Sequence, residues 1–355
     1  MVKNDNSGSR QLSELWQYIR YLQSLLDREG IAYDAMKEKA DSSFYAGEIT
    51  PEHAKLLFSV FKGRNDVYSK RTKLKSGNFA YFPACENFWR YGVCPRTEHK
   101  PVKCVDCQGR KWRPVTQRLL MEHLNGKKED GTDVVGIYPM LKDESCNFLV
   151  FDFDDHTDAQ EDDCEPAALW REDVDALRNV CKANDIEPLV ERSRSGKGAH
   201  LWMIFEEPIS AVTARRFGTA LLTKGADSIN QKDFSSYDRM LPAQDHMPPG
   251  GLGNLIALPL QGKALQDGNS VFVDENWKAY EDQWEVLRNV SRISKEFIEK
   301  KTEEWSSQGI LGVLSDVTCE EEPERENAPW EQETDMHPED VDGSVAIVES
   351  NGLFI

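Results

Sequence analysis

The hydrophobic period changes several times along this chain, and each change marks off an element. From Asn147 to Asp155 apolar residues run with the strand period of two. Phe148, Val150, Asp152 and Asp154 share one face, and Leu149, Phe151 and Phe153 share the other. An acidic stretch follows, then a helical period from about Pro166 to Ala183 with Leu169, Val174, Leu177 and Cys181 on its inner face. Pro188–Arg192 and Ala199–Phe205 have strand character and are joined by a short turn. Ser210 is placed to cap a helix running to about Lys224, and Tyr237–Leu241 supplies a fourth strand. The order β-α-β-β-α-β predicts an α+β fold with an RRM-like split βαβ core.

Upstream, Leu12, Leu15, Ile19, Leu22 and Leu26 follow the steps of three and four of a helical seam. Two heptads fall short of a coiled coil, so the seam is expected to dock on its own domain. Thr50 and Pro51 open a helix through Phe61, and Gln117–Leu124 forms another, stopped by Asn125-Gly126. Val134–Pro139 and Asn254–Pro259 have strand character. Short helices near Gln283–Leu287 and Lys295–Ile298 close the folded part. The divisions expected are an N-terminal helical segment (1–48), a basic zinc-binding module (49–132), a catalytic core (133–310) and a disordered acidic linker (311–355).

Charge sharpens these divisions. The net charge is -19, which argues against a polyanionic partner until its distribution is seen. Residues 315–355 carry 13 acidic side chains and one basic, whereas residues 62–118 carry 14 Lys/Arg against four Asp/Glu. The basic segment is what a nucleic acid would feel. Within it, Lys70–Lys75 has little apolar content and suits a nucleic-acid contact at least as well as a solvated loop. There is no apolar run of membrane-spanning length, the N-terminus lacks a secretory signal, and four of the eight cysteines are clustered. A reducing cytoplasm and a metal are therefore expected, not disulfides or a membrane.

Three groups of residues carry candidate chemistry. Asp152 and Asp154 end an apolar strand on one face, where two carboxylates repel unless a cation joins them. A two-metal site needs a third carboxylate. Asp238, on the last strand, is favoured, and Asp245, in the following loop, is the alternative. The segment Arg192–His200 contains two glycines that let backbone N–H groups approach an anion, with Arg194, Ser195, Lys197 and His200 as donors. It lacks the spacing of a Walker A loop. Cys85, Cys94, Cys104 and Cys107, spaced C-x8-C-x9-C-x2-C, predict a structural zinc site. Around it Phe88, Trp89, Arg90, Tyr91, Arg110, Lys111, Trp112 and Arg113 suit base stacking and phosphate contact as well as ordinary packing.

Asp-x-Asp at 152 and 154, the Ser195…His200 loop and a later strand Asp together resemble the motifs of archaeo-eukaryotic primases. The fuller string is similar to the primase-polymerase domain of TOTE conflict systems and CRISPR-associated primase-polymerases. It includes Tyr81–Cys85, Cys104–Cys107, Gly136–Pro139, Phe151–Asp154, Ser195–His200, Tyr237–Arg239, Pro242–Asp245 and Gly253–Gln261, and it covers roughly residues 50–300. The resemblance implies an RRM-like catalytic core and template-directed addition of dNTPs or NTPs to a single-stranded or primed DNA template. It further implies Mg²⁺ or Mn²⁺ on Asp152, Asp154 and Asp238 (or Asp245), and the incoming triphosphate on Ser195, Lys197 and His200. In-line attack by a 3′-OH on the α-phosphate would release pyrophosphate. Helicase, nuclease or CRISPR adaptation proteins are the implied partners, and the end at Ile355 suggests a truncated chain or separately encoded partners. Three alternatives remain on the residues alone: a repair polymerase that extends without priming, a zinc-stabilised nucleic-acid-binding module without catalysis, and a metal-dependent nuclease.

Overall fold

The computed structural model describes residues 48–308 except 75, 99–101, 156–168, 229–233 and 248–249. The Leu12–Leu26 seam, the start of the helix expected at Pro166 and the acidic tail lie outside the described residues. Two largely antiparallel sheets and seven α-helices make up the described part.

The larger sheet is built from β4 (Ser145–Asp154), β5 (Leu189–Arg192), β6 (Gly198–Ser210), β7 (Tyr237–Leu241), β9 (Val271–Phe272) and β10 (Arg292–Ile293). Its order is β7-β4-β6-β5-β9, with β10 added in parallel to β6. The four strands expected from the βαββαβ pattern are therefore arranged fourth-first-third-second, the split βαβ arrangement. Sequence reading missed β9 and β10, each of two residues, because so short a segment has no period to detect.

Helices α3 (Leu169–Ala183) and α4 (Ala211–Ser228) supply the two crossovers of that core. The β4 face carrying Leu149 and Phe151 meets α4 at Gly218, where an added Cβ would lie 2.7 Å from Leu149 and 3.2 Å from Phe151. The opposite face is covered at one end only. There Phe61, at the end of α1 (Pro51–Val60), packs on Phe148 and Trp202 with ring centroids 6.4 and 4.6 Å away. Phe148 and Val150 are consequently fully buried, while Asp152 and Asp154, further along the same face, remain partly open to solvent.

The smaller sheet has the order β2-β1-β3-β8, from β1 (Ser69–Lys73), β2 (Phe79–Pro83), β3 (Val135–Ile137) and β8 (Ile256–Ala257). It takes strands from both sides of residue 132. The segment that suits a solvated loop or a nucleic-acid contact is, through Lys73, a hairpin strand, which sets aside the loop and leaves the contact open. Its inward position is an arginine whose charge is met locally. The Arg71 guanidinium lies 3.4 Å from the Phe79 ring centroid and donates to the carbonyls of Asp130 and Gly131. Cation–π contact and carbonyl bonds replace the apolar alternation by which a strand is usually recognised.

Helix α2 (Gln117–Asn125) starts at Thr116, whose hydroxyl accepts from the Leu119 N–H, and ends at left-handed Gly126. Its fully buried His123 accepts the Val135 N–H at Nδ1 (3.1 Å), which leaves Nε2–H to donate to the Pro259 carbonyl (3.0 Å). One imidazole thus ties α2 to the segments carrying β3 and β8. Burial holds its pKa below the ordinary histidine value. The remaining helices are α5 (Gly262–Gln266), α6 (Gln283–Arg288) and α7 (Lys295–Ser307). Among the described residues no helix is long and apolar enough to cross a membrane.

Candidate active site

Asp152 and Asp154 follow the apolar run of β4 with the spacing that keeps them on one face. Asp238 joins them through an irregularity in β7. The β4–β7 register pairs Asp152 with Arg239 and Phe153 with Tyr237, leaving Asp238 as an extra residue. In an unbroken ladder Asp238 would stand opposite Phe153, on the apolar face. The bulge instead places Tyr237 there, 5.9 Å from the Phe153 ring, and turns Asp238 toward the acidic face. One oxygen from each of Asp152, Asp154 and Asp238 then lies within 4.8 Å of the others. Such an array of hard oxygen donors suits a divalent cation. Among the described residues it is the one group of His, Cys, Asp or Glu whose ligand atoms converge this closely.

The start of β7 is fixed from two directions. Asp173 on α3 accepts from the Ser236 N–H and hydroxyl, at 2.9 and 2.6 Å, and the Ser236 carbonyl accepts from the Asp154 N–H. Asp245 is placed differently: Arg215 of α4 holds its carboxylate at 2.6 Å, outside the converging group.

The loop Ser193–Lys197 joins β5 to β6 beside this cluster, since Asp154 pairs with Gly198 and the Asp155 N–H donates to the Lys197 carbonyl. Gly196 adopts φ +75°, a conformation that strains other residues, and lies against Asn269. Ser195 and Lys197 are exposed. Arg194 turns toward Tyr81 of the smaller sheet, where its charge works against the rise that burial gives the phenol's pKa. At Gly198 no side chain fits: a Cβ would lie 2.1 Å from the Phe153 carbonyl oxygen and 2.8 Å from Asp154 Oδ1.

His200 pairs in register with Asp152 and faces it through Nε2, 3.3 Å from Oδ1. Its Nδ1–H donates to Glu191 at 2.9 Å. Burial opposes a charge on this imidazole, but the carboxylates of Glu191 and Asp152 outweigh it and raise its pKa well above the ordinary value. Glu191 is itself buried and also accepts from the Trp202 indole N–H and the Ser270 hydroxyl. Sequence reading gave no role to Glu191; the available signal was a carboxylate at an inward position of an apolar strand. Nor did it give one to Arg239, which donates to Asp238 at 2.7 Å and lies 3.8 Å from Asp152.

The four clustered cysteines lie elsewhere, with no three of their sulfurs within 4.8 Å of one another. Cys85, Cys94, Cys104 and Cys107 line one small cavity, about 20 Å³, beneath Phe88 and Trp112. Lys111 N–H donates to Cys85 Sγ at 3.3 Å, and burial pushes the Cys104 thiol up although Arg96 beside it works the other way. Thiolate sulfur is a soft donor of the type zinc takes, so the donor chemistry, not a converged geometry, is what these residues offer such an ion. The adjacent Tyr91 is 88 % exposed, the most open large apolar side chain among the described residues.

The family model of the TOTE conflict system, archaeo-eukaryotic primase domain, matches residues 52–301. No curated protein matches the chain. Among solved structures it is similar to the polymerase domain of Mycobacterium tuberculosis ligase D in complex with DNA, with 12% sequence identity, a TM-score of 0.37, and coverage of 76% of this chain and 88% of that one.

Proposed function

Because the chain belongs to the archaeo-eukaryotic primase domain family of TOTE conflict systems, we propose that it is a template-directed DNA primase-polymerase. The observation that carries this reading is the convergence of Asp152, Asp154 and Asp238 within 4.8 Å, at the end of the sheet where the Ser193–Lys197 loop emerges. These three residues would hold Mg²⁺ or Mn²⁺. When bound, the cations supply charge stabilisation to the attacking and leaving oxygens of an in-line displacement at phosphorus. The protein's own contribution is placement. Exposed Ser195 and Lys197, with the backbone of Gly196, offer donors to the triphosphate, and His200 is oriented by buried Glu191 toward the same face. Arg194, beside Tyr81, adds positive charge to the loop.

The four cysteines would hold a structural zinc that stiffens the basic, aromatic segment through which a single-stranded or primed template is gripped. Helicase or nuclease partners fit the family. Incubation with dNTPs or NTPs and Mn²⁺, on primed and then unprimed single strands, tests the reading. Wild type is expected to extend and to initiate, and Asp152→Asn/Asp154→Asn to do neither. Extension without initiation would mark a gap-filling polymerase, template degradation a nuclease, and template binding alone a non-catalytic module.

A further inference from the structure

Arg239 occupies an unusual place for a cation. The regular β4–β7 ladder sets it opposite Asp152, and the bulge just beyond turns Asp238 to the same side, so the Arg239 Nε donates to Asp238 Oδ2 at 2.7 Å and approaches Asp152 Oδ2 to 3.8 Å. Two of the three converging carboxylates therefore already share a positive charge. Its side chain is 44 % exposed, against 32 % for Asp238 and 15 % for Asp152, so the guanidinium is the more open member of both pairs. A divalent ion takes carboxylate oxygens at about 2.0–2.6 Å. Coordinated by Asp238 Oδ2, it would stand against the guanidinium, and like charges at such a distance repel strongly.

We propose that Arg239 is the resident counter-ion of the acidic cluster, displaced from Asp238 by the divalent cation and turned to the phosphates of the incoming nucleotide. The second half rests on the polymerase reading; the first needs only the metal. A displaced guanidinium on an exposed strand position keeps its charge and its planar array of donors, which suit phosphate oxygens. The carboxylates are thus kept from repelling one another before the metal arrives, and nucleotide capture is coupled to metal loading. A plain surface ion pair would contribute little and would do neither.

The two roles predict effects of opposite sign from one substitution. Mn²⁺ binding to the nucleotide-free protein, followed by the EPR signal of the free ion, is expected to tighten roughly fivefold in Arg239→Gln. Arg239→Lys, which keeps the charge, should stay near wild type. With Mn²⁺ saturating, affinity for a fluorescent non-hydrolysable dNTP should fall roughly tenfold in Arg239→Gln, with substantial recovery in Arg239→Lys. Unchanged or weaker Mn²⁺ binding in Arg239→Gln overturns the counter-ion role, as does a wild-type protein that binds no Mn²⁺. Unchanged nucleotide affinity overturns the transfer to phosphate. If Mn²⁺ tightens as expected but no template is ever extended, the counter-ion role stands and the polymerase reading fails.

Discussion

Asp238 and Asp245 lie seven residues apart and meet opposite surroundings. Asp238 faces two other carboxylates and shares the exposed Arg239 with Asp152, whereas Asp245, outside that group, has the more buried Arg215 at 2.6 Å. Asp238→Asn should therefore lower Mn²⁺ affinity at least tenfold with little loss of stability, since the ion pair it removes is exposed and Arg239 keeps Asp152 beside it. Asp245→Asn should leave Mn²⁺ affinity within about twofold while costing about 1 kcal/mol of stability, because Arg215, 14 % exposed, loses its partner. Calorimetric Mn²⁺ titration and urea denaturation of the two variants check this pairing. Gly198 belongs to the same scale. A Cβ there meets the Phe153 carbonyl, which is backbone and cannot turn away. Gly198→Ala should cost a few kcal/mol by overpacking and displace Asp154, so that both the urea midpoint and Mn²⁺ affinity drop. A variant of wild-type stability would show that β6 has room to move.

Among the elements, legibility followed how local the determining physics is. β4 and its crossovers were readable because burial imposes a period on sequence, and the order of elements then implied the core. The bulge in β7 was not, because it arises from a register between strands some 80 residues apart in sequence, and nothing in Tyr-Asp-Arg alone specifies it. Two carboxylates of the site were therefore plain from spacing, whereas the third was separated from Asp245 only by the fold. The β1–β2 hairpin escaped because Arg71 takes an inward position that periodicity assigns to an apolar residue. α2 offers a test at this scale. His123 is buried with Nδ1 accepting a backbone N–H, so protonation there costs the Val135 bond. Burial lowers its pKa, and the nearby Asp133 carboxylate opposes this only in part. A group with a lowered folded-state pKa contributes stability that is full above its unfolded value, about 6.5, and declines as pH falls below it. Wild type should lose more stability between pH 7.5 and 5.5 than His123→Asn, which keeps an acceptor near the Nδ1 position and does not titrate. Urea midpoints at the two pH values measure the difference, and parallel shifts in both proteins would rule the imidazole out as its source.

At the scale of the whole molecule, opposite charges are segregated along one chain. The segment 62–118 carries the basic residues and the last 41 carry 13 acidic ones against a single arginine. Net charge alone would exclude a nucleic-acid partner, yet a template meets the local field, whose reach is the Debye length, about 30 Å at 0.01 M salt and about 8 Å at 0.15 M. At low salt the two fields reach far enough for the acidic charge to subtract from the attraction of the basic segment; at high salt each is felt only on contact. A chain ending at residue 310 should therefore bind a labelled single strand severalfold more tightly than the full chain at low ionic strength. The advantage should shrink steadily with added salt, while the slope of log affinity against log salt becomes steeper for the shorter chain. Fluorescence anisotropy titrations of both proteins across a salt series provide the measurement. Equal affinities at every salt would mean that the acidic end does not act on the template, and an advantage that persists undiminished at high salt would mean that it acts by occupying the surface and not through its field.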